Sequence, residues 1–285
     1  MKKLFCFKYI IIFFIALTTI GFIVSKNRTQ AGPIKKDNLY IIKTKFGDMT
    51  LALYDQTPKH RDNFKKLVAD STYDGTTFHR VIDGFMVQGG DPTSKNRENK
   101  NKVGLGNLGY TIPAEFNSKL IHKKGAIAAA RQNDRINPEK RSSGCQFYIV
   151  QGKPTDKKTL TSLNERKNNA RKIIIGNKYL MNPANSKFKF QYTQIVNSGN
   201  QDSIDYYNKI IEAKTYNLYE GEELNYTKKQ IKTYKKIGGS PMLDMDYTVF
   251  GEVIKGLNII DSIASVKKGR GDRPIEDIQM TIKKL

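Results

Sequence analysis

Residues 78–91, with the sequence FHRVIDGFMVQGGD, constrain the fold most, because they place a charged side chain inside an apolar, strand-forming run. Arg80 lies between Phe78 and Phe85 in this run. An unpaired buried charge is among the costliest groups that a protein interior can contain. The segment therefore predicts one of two arrangements: Arg80 forms a structural ion pair, or it faces a groove in which its charge is used.

Other short apolar runs predict a strand-rich domain. Residues 39–54 alternate in polarity and predict two strands around a turn at Gly47-Asp48, and the later β-prone runs are 146–152, 247–254 and 278–285. Two segments predict helices. The first has Thr57 as its cap and Pro58 in its first turn, and the second covers 256–266.

The chain divides into four parts by composition. Residues 1–25 have a basic start and an apolar run at 9–24, a little shorter than the ~20 residues that span a bilayer. They predict a signal or anchor segment, and hence a protein of the bacterial cell envelope, anchored in the membrane or periplasmic after export. Residues 26–38 predict a linker. Residues 39–285 predict one domain, interrupted at 153–237 by a polar, mostly helical insertion.

The net charge of +22 raises the question of nucleic-acid binding. The lysines are scattered, however, and aromatic side chains are not interleaved with them as a base-stacking surface requires. We therefore expect no nucleic-acid partner. With two cysteines, three histidines and no CxxC pair, we also expect no metal and no cofactor.

Three short motifs suggest other chemistries, and each lacks its context. GLGNLG at 104–109 matches a dinucleotide fingerprint, but polar residues precede it and Pro113 follows where a helix should begin. Cys145 has no neighbouring base, so we read it as a small, partly buried residue. Asp91 has no carboxylate partner at a set spacing, which leaves acid–base hydrolysis unsupported.

Five blocks together resemble the cyclophilin-type peptidyl-prolyl cis/trans isomerases, most closely the bacterial branch. In chain order they are FHRVIDGFMVQGGD, GYTIPAEF, KKGAIAAARQ, SSGCQFYIV and LDMDYTVFGEVI. The resemblance covers about residues 39–152 and 238–285. It implies a closed eight-stranded antiparallel barrel capped by two helices, to which this chain adds the helical insertion.

The resemblance also implies the site residues. Arg80 matches the catalytic arginine of the family, and the positions that match its peptide-binding groove are Phe85, Met86, Gln88, Ala130, Arg131, Gln146, Phe147, Leu243 and Tyr247. Two positions depart from the family pattern. Met242 stands where many relatives have an aromatic residue that contacts cyclosporin, and Met245 replaces the usual glycine after "LD".

The implied reaction is rotation about X–Pro bonds in folding or exported polypeptides. It needs neither a nucleophile nor a metal, because no bond is broken; a fixed donor such as Arg80 would stabilise the twisted amide. The alternative is a module or chaperone that binds proline-containing peptides with little catalysis. The sequence predicts neither the role of the insertion nor the oligomeric state.

Overall fold

The protein is described here by a computed structural model, which covers residues 28–96, 103–219 and 223–285. The described residues form twelve strands: β1 Arg28–Thr29, β2 Gly32–Pro33, β3 Leu39–Thr44, β4 Gly47–Leu53, β5 Arg80–Ile82, β6 Met86–Gly89, β7 Thr111–Ile112, β8 Ala126–Ala129, β9 Ser142–Ser143, β10 Phe147–Val150, β11 Val249–Lys255 and β12 Thr281–Lys284. They also form six α-helices: α1 Pro58–Ala69, α2 Lys157–Met181, α3 Ser186–Ser198, α4 Gln201–Tyr219, α5 Lys228–Ile237 and α6 Leu257–Ala264.

Eight of the strands form one curled antiparallel sheet, in the order β12-β3-β4-β11-β8-β10-β6-β5. The chain segments next to the two edge strands also meet, through an antiparallel bridge between Thr77 and Gln279. The amide of Phe78 donates to the carbonyl of Ile278 at 2.9 Å, and that of Met280 donates to Thr76 at 2.8 Å. These bonds join the edges of the sheet, and the predicted eight-stranded antiparallel fold is confirmed.

Helices α1 and α6 cap this sheet. Phe64 and Leu67 of α1, and Ile260 and Ile263 of α6, are buried in the same interior cluster as the strands. Thr57 occupies the N-cap position of α1, as predicted, but its side chain makes no capping hydrogen bond. The carboxylate of Glu115, distant in sequence, accepts hydrogen bonds from two amides of the first turn instead.

The first hairpin turns two residues earlier than the sequence predicts. Gly47 belongs to β4 and pairs with Thr44, so the turn consists of Lys45 and Phe46. The Thr44 hydroxyl accepts a hydrogen bond from the amide of Phe46 and donates one to the carbonyl of Gly47 at 3.0 Å. A local side-chain bond therefore places this turn.

Residues 28–33 lie inside the segment predicted as a linker, and they form the hairpin β1–β2. The side chain of Gln30 exchanges two hydrogen bonds with the backbone of Ile121, both at 3.1 Å. The backbone amide of Gln30 donates to Glu252 Oε1 at 2.9 Å. This part of the segment is therefore bonded to the barrel.

The stretch between β10 and β11 contains helices α2 to α5, which confirms the helical character of the insertion. Its contact with the barrel is made by buried side chains of α2 and α5, among them Leu160 and Tyr234. The hydrophobic segment predicted at residues 1–25 lies outside the described residues. Within the described ranges, no helix is both long and apolar enough to cross a membrane.

Candidate active site

The two faces of the curled sheet carry different apolar clusters. The interior face packs the main core, which includes Val81, Val87, Phe147 and Ile149. The outer face carries a second cluster, the floor cluster: Tyr54, Met86, Leu120, Ala126, Ala128, Tyr148, Val150 and Val249, with the partly buried Ala31, Ile82, Phe85, Ala130, Leu243 and Tyr247 against it. Five of the ten predicted site residues therefore belong to the cluster on the outer face.

Arg80 is on β5 and faces the outer side. Its neighbour Val81 is in the main core, and alternate residues of a strand point to opposite faces. The Arg80 side chain is 43% exposed, and its Nε lies 3.6 Å from a carboxylate oxygen of Asp272, which is 48% exposed. The partner is at the surface and the contact is loose. Arg80 is therefore not an internal structural ion pair, which excludes the first of the two arrangements expected from the sequence.

A row of polar side chains holds Arg80 in place. Arg80 Nη1 donates to Gln88 Oε1 at 3.5 Å, and Gln88 Nε2 donates to Gln146 Oε1 at 3.0 Å. The Gln146 amide donates in turn to the carbonyl groups of Gly104 and Gly106. The two predicted glutamines are therefore brought together beside Arg80, in one hydrogen-bonded line.

This line of hydrogen bonds ends at the glycine-rich loop, residues 104–109. The side chain of Asp91 holds the loop in place. The buried Asp91 carboxylate accepts from the amides of Gly104, Gly106 and Thr93, and from the Thr93 hydroxyl. A Cβ at Gly106 would lie 1.9 Å from Asp91 Oδ1, so only glycine fits there. Strand β7 follows the loop, which is incompatible with a dinucleotide site.

The floor beside Arg80 contains Tyr148, a residue that the sequence reasoning did not select. In register, Arg80 pairs with Gln88, and Gln88 pairs with Tyr148 on β10. Phe147, which was selected, points into the main core and packs edge-on against Phe64 at 5.7 Å. Strand alternation could have identified Tyr148 from the sequence. If Gln146 faces the site, Tyr148 faces it too, and Phe147 points to the other face.

Arg131 and Ala130 lie at the edge of the floor. The Arg131 side chain is only 5% exposed. Its Nε donates to the carbonyl of Asp246 at 2.8 Å, and its guanidinium stacks 4.4 Å from the ring centre of Tyr247. The ring of Tyr247 then meets that of Tyr148 at 5.9 Å, edge to face. Arg131 therefore supports Tyr247 from behind and does not present its charge to a ligand.

The loop that carries Leu243 and Tyr247 is tied to the insertion through Asp244. This carboxylate is 2% exposed and accepts hydrogen bonds from Tyr234 at 2.6 Å and from Tyr226 at 2.7 Å. Its other oxygen lies 2.7 Å from His122 Nδ1, and His122 Nε2 lies 3.0 Å from the Tyr148 hydroxyl. A neutral imidazole satisfies both contacts if Nδ1 donates to the carboxylate and Nε2 accepts from the hydroxyl.

This chain of bonds runs from the floor of the site to helix α5 and the residues before it. Burial raises the pKa of Tyr148 and that of Tyr234, so both phenols keep the proton that these bonds need. Lys167 of α2 adds a bond to the Asp244 carbonyl at 2.7 Å. The insertion therefore helps to fix the site loop, a connection that no local sequence pattern indicates.

A serine, a histidine and a glutamate also meet, but the serine and the histidine are buried. His60 Nε2 lies 2.9 Å from Ser142 Oγ, and its Nδ1 lies 2.7 Å from Glu115. Ser142 is 1% exposed, and the adjoining cavity of about 10 Å³ has room for one water at most. Burial also raises the pKa of Cys145 to about 11, which leaves little thiolate. This arrangement cannot receive a substrate.

Among the described residues, no group of three or more histidine, cysteine or acidic side chains could hold a metal ion. The outer face instead offers a half-exposed guanidinium, a line of amide side chains and an apolar floor. Such a surface can bind an extended peptide and place a charge-assisted donor against one of its bonds.

Comparison with known proteins gives a consistent result. Residues 39–177 and 228–284 match the family model for cyclophilin type peptidyl-prolyl cis-trans isomerases. A Staphylococcus saprophyticus protein assigned to the peptidyl-prolyl cis-trans isomerases is 28% identical over 242 residues, which are 84% of this chain and 86% of the relative.

The fold matches as well. A crystal structure of a Cryptosporidium parvum cyclophilin type peptidyl-prolyl cis-trans isomerase is 19% identical, covers 86% of this chain and 95% of its own, and has a TM-score of 0.50. The same parasite protein in the presence of the dipeptide Ala-Pro is 18% identical, covers 87% of this chain and 98% of its own, and also has a TM-score of 0.50.

Proposed function

The chain belongs to the cyclophilin-type peptidyl-prolyl cis-trans isomerase family, and from this premise we propose that Arg80 is its catalytic residue. The substrates are X–Pro bonds in folding or exported polypeptides. The observation that carries the proposal is the position of the Arg80 guanidinium, which is 43% exposed beside the floor cluster.

The reaction requires the enzyme to bind a half-rotated amide more tightly than either planar form. Resonance imposes a barrier of about 18–20 kcal/mol on this rotation. Rotation localises the lone pair of the prolyl nitrogen, and a donor aimed at that nitrogen stabilises the rotated state. A guanidinium is always charged and its donors have a fixed geometry, so Arg80 suits this task.

The other residues bind and position the peptide. Phe85, Met86, Leu243 and Tyr247 form the apolar surface on which the proline ring rests, with Tyr148 as the floor beneath. Tyr148 thus takes the position in the peptide-binding groove that was predicted for Phe147. Gln88 and Gln146 hold Arg80 and offer amide groups to the peptide backbone, while Ala130 lines the edge.

Replacing Arg80 tests the proposal. We expect Arg80→Ala to lower kcat/KM for a proline-containing peptide by about 10²–10³-fold, the loss typical of a single transition-state donor. Arg80→Lys keeps the positive charge but lacks the forked donors of the guanidinium, so its kcat/KM should lie between those of Arg80→Ala and the wild type. The free energy of unfolding should change by less than about 0.5 kcal/mol, because the ion pair with Asp272, lost from the described part of the chain, is exposed and loose.

Two results would contradict the proposal. A folded Arg80→Ala variant with undiminished activity would show that the guanidinium does not act on the amide. A wild-type protein that binds proline-containing peptides with no acceleration of their isomerisation would favour the alternative, a peptide-binding module or chaperone.

We also propose that residues 1–25 direct the protein out of the cytoplasm and hold it at the membrane of the bacterial envelope. The support is the basic start and the apolar run at 9–24. Fractionation of cells, followed by mass measurement of the N-terminus, tests this. We expect the protein in the membrane fraction with Met1 retained. Recovery from the cytoplasmic fraction would contradict it, and a shortened N-terminus in the periplasm would show cleavage.

A further inference from the structure

A second cavity lies beside the floor cluster, between β5–β6 of the barrel and helix α2 of the insertion; we name it the insertion groove. It has a volume of about 840 Å³ and is open to solvent. Its apolar lining comes from Ile82 and Phe85 of the barrel, Leu163 of α2, and Pro241 and Met242 of the following loop. The barrel alone would leave this groove without its second wall.

The groove is continuous with the candidate active site. Phe85 lines the groove and also packs on the floor cluster, and Met242 precedes Leu243 of that cluster. Met242 is 59% exposed, so its side chain is accessible to a ligand in the groove. A peptide whose proline rests on the floor therefore meets the groove with its neighbouring residues.

The walls of the groove are held in place by backbone bonds. Lys153 and Gly239 exchange two hydrogen bonds, at 3.1 and 3.2 Å, at the point where the chain leaves and re-enters the barrel. The amide of Ser240 donates to the carbonyl of His122 at 2.8 Å. A groove of this kind is formed before a ligand arrives, so binding costs little ordering of the protein.

The charges in the groove have one sign. Lys153, Lys158 and Arg166 line it, and the described residues that line it include no aspartate or glutamate. Lys158 and Arg166 are both exposed, and both belong to α2. Two residues of helix α2 thus carry positive charge beside the apolar residues that line the groove, which is complementary to a segment that combines apolar and acidic side chains.

We propose that the insertion groove binds the residues flanking the substrate proline, and that it selects polypeptides in which an apolar side chain and an acidic side chain lie close to that proline. The proposal rests on the proposed isomerase function. The insertion thereby acts as a specificity element. Its contacts are remote from the rotating bond and are made equally in the ground and transition states, so they lower KM and leave kcat unchanged.

Three peptides with the same central X–Pro bond test this: a minimal one, one extended by apolar and acidic residues, and one extended by apolar residues and lysine. We expect the wild type to isomerise the acidic peptide with a KM about threefold to tenfold lower than that of the minimal peptide, at low salt. Added salt should reduce the difference. The lysine peptide should show no such gain.

The double variant Lys158→Glu and Arg166→Glu should lose the preference for the acidic peptide and gain one for the lysine peptide, with unchanged turnover of the minimal peptide. The matched control, Lys187→Glu and Lys189→Glu, makes the same charge change on α3, at residues that do not line the groove, and should keep the wild-type preference.

Equal KM values for all three peptides, with normal turnover, would overturn the groove proposal and leave the isomerase function intact. A wild type that isomerises none of the peptides would contradict the isomerase function itself. Sedimentation of the wild type and the double variant tests whether a second copy of the chain occupies the groove instead of a substrate. Self-association that the double variant abolishes would assign the groove to a second copy of the chain and overturn the proposal.

Discussion

Phe147 and Tyr148 are neighbours on β10, and they show how differently the two faces of the sheet are used. Phe147 packs against Phe64 and Tyr73 in the interior, at ring distances of 5.7 and 5.5 Å. Tyr148 lies beneath the candidate active site and hydrogen-bonds to His122. The interior face therefore supplies stability through close packing, whereas the outer face supplies a fixed surface for a ligand.

The largest expected effect is the difference in stability between a variant on the interior face and one on the outer face. Phe147→Ala removes a ring that is 1% exposed and should lower the free energy of unfolding by about 3–5 kcal/mol. Phe85→Ala, at a partly buried position of the outer face, should cost less stability, about 1 kcal/mol, yet reduce kcat/KM about tenfold or more. Urea unfolding measures the free energy of unfolding. Peptide isomerisation, assayed at urea concentrations below the unfolding midpoint, measures kcat/KM. A stability loss as large for Phe85→Ala would erase the distinction between the faces.

The second effect concerns the link from the outer face to the insertion. Tyr234→Phe removes one of the hydrogen bonds to the buried Asp244 and should lower stability by about 1–3 kcal/mol. Tyr226→Phe should cost less, because that side chain is only partly buried. Both variants should lower kcat more than they raise KM, since the loop with Leu243 and Tyr247 is less firmly held. An unchanged kcat with reduced stability would limit Asp244 to a structural role.

The third effect separates the ring of Tyr148 from its hydroxyl. Tyr148→Phe keeps the floor and leaves one acceptor of His122 without its donor, at a cost of about 1 kcal/mol. Activity should stay within about threefold of the wild type. If activity falls tenfold while stability is unchanged, the hydroxyl contacts the substrate, and the outer face is more than an apolar floor.

The smallest effect is a pH dependence at the edge of the site loop. Burial opposes ionisation of Asp246, but Lys167 and Lys140 outweigh it and hold its pKa below the ordinary value of 3.8. Its stabilisation is therefore complete above the unfolded pKa and is lost as the pH falls through the folded pKa. Allowing for its partial exposure, we expect about 1 kcal/mol or less. Urea unfolding of wild type and Asp246→Asn between pH 3 and 7 measures it; parallel curves would contradict it.

The positions of the candidate site residues could be predicted best where the sequence signal is local. Arg80, Met86 and Gln88 lie within one short hairpin, where alternation places their side chains on one face. Their roles, and the selection of Phe85, came from the resemblance. Gln146, Leu243 and Tyr247 followed from the resemblance, and the structure brings them to the same face. Phe147 was selected without applying the alternation to β10, which would have chosen Tyr148.

The features that the sequence did not indicate depend on contacts between distant segments. Arg131 lies at the edge of the floor cluster, but the backbone of Asp246 and the ring of Tyr247 enclose its guanidinium. The cap of α1 comes from Glu115, far from Thr57 in sequence. No local pattern carries information about such partners, because the free energy of each contact exists only after the barrel has formed.

The sequence by itself determined the strands, the capping helices and, through its ordered blocks, the family, whereas the catalytic role of Arg80 stays a prediction. The strands, the helices and the family follow from periodicity and from ordered blocks, which depend on residues near one another in the chain. The tertiary structure alone decided that the insertion holds the site loop through Asp244 and forms one wall of a groove beside Phe85. The physical reason is that burial and hydrogen bonding between distant residues depend on where the folded chain places them.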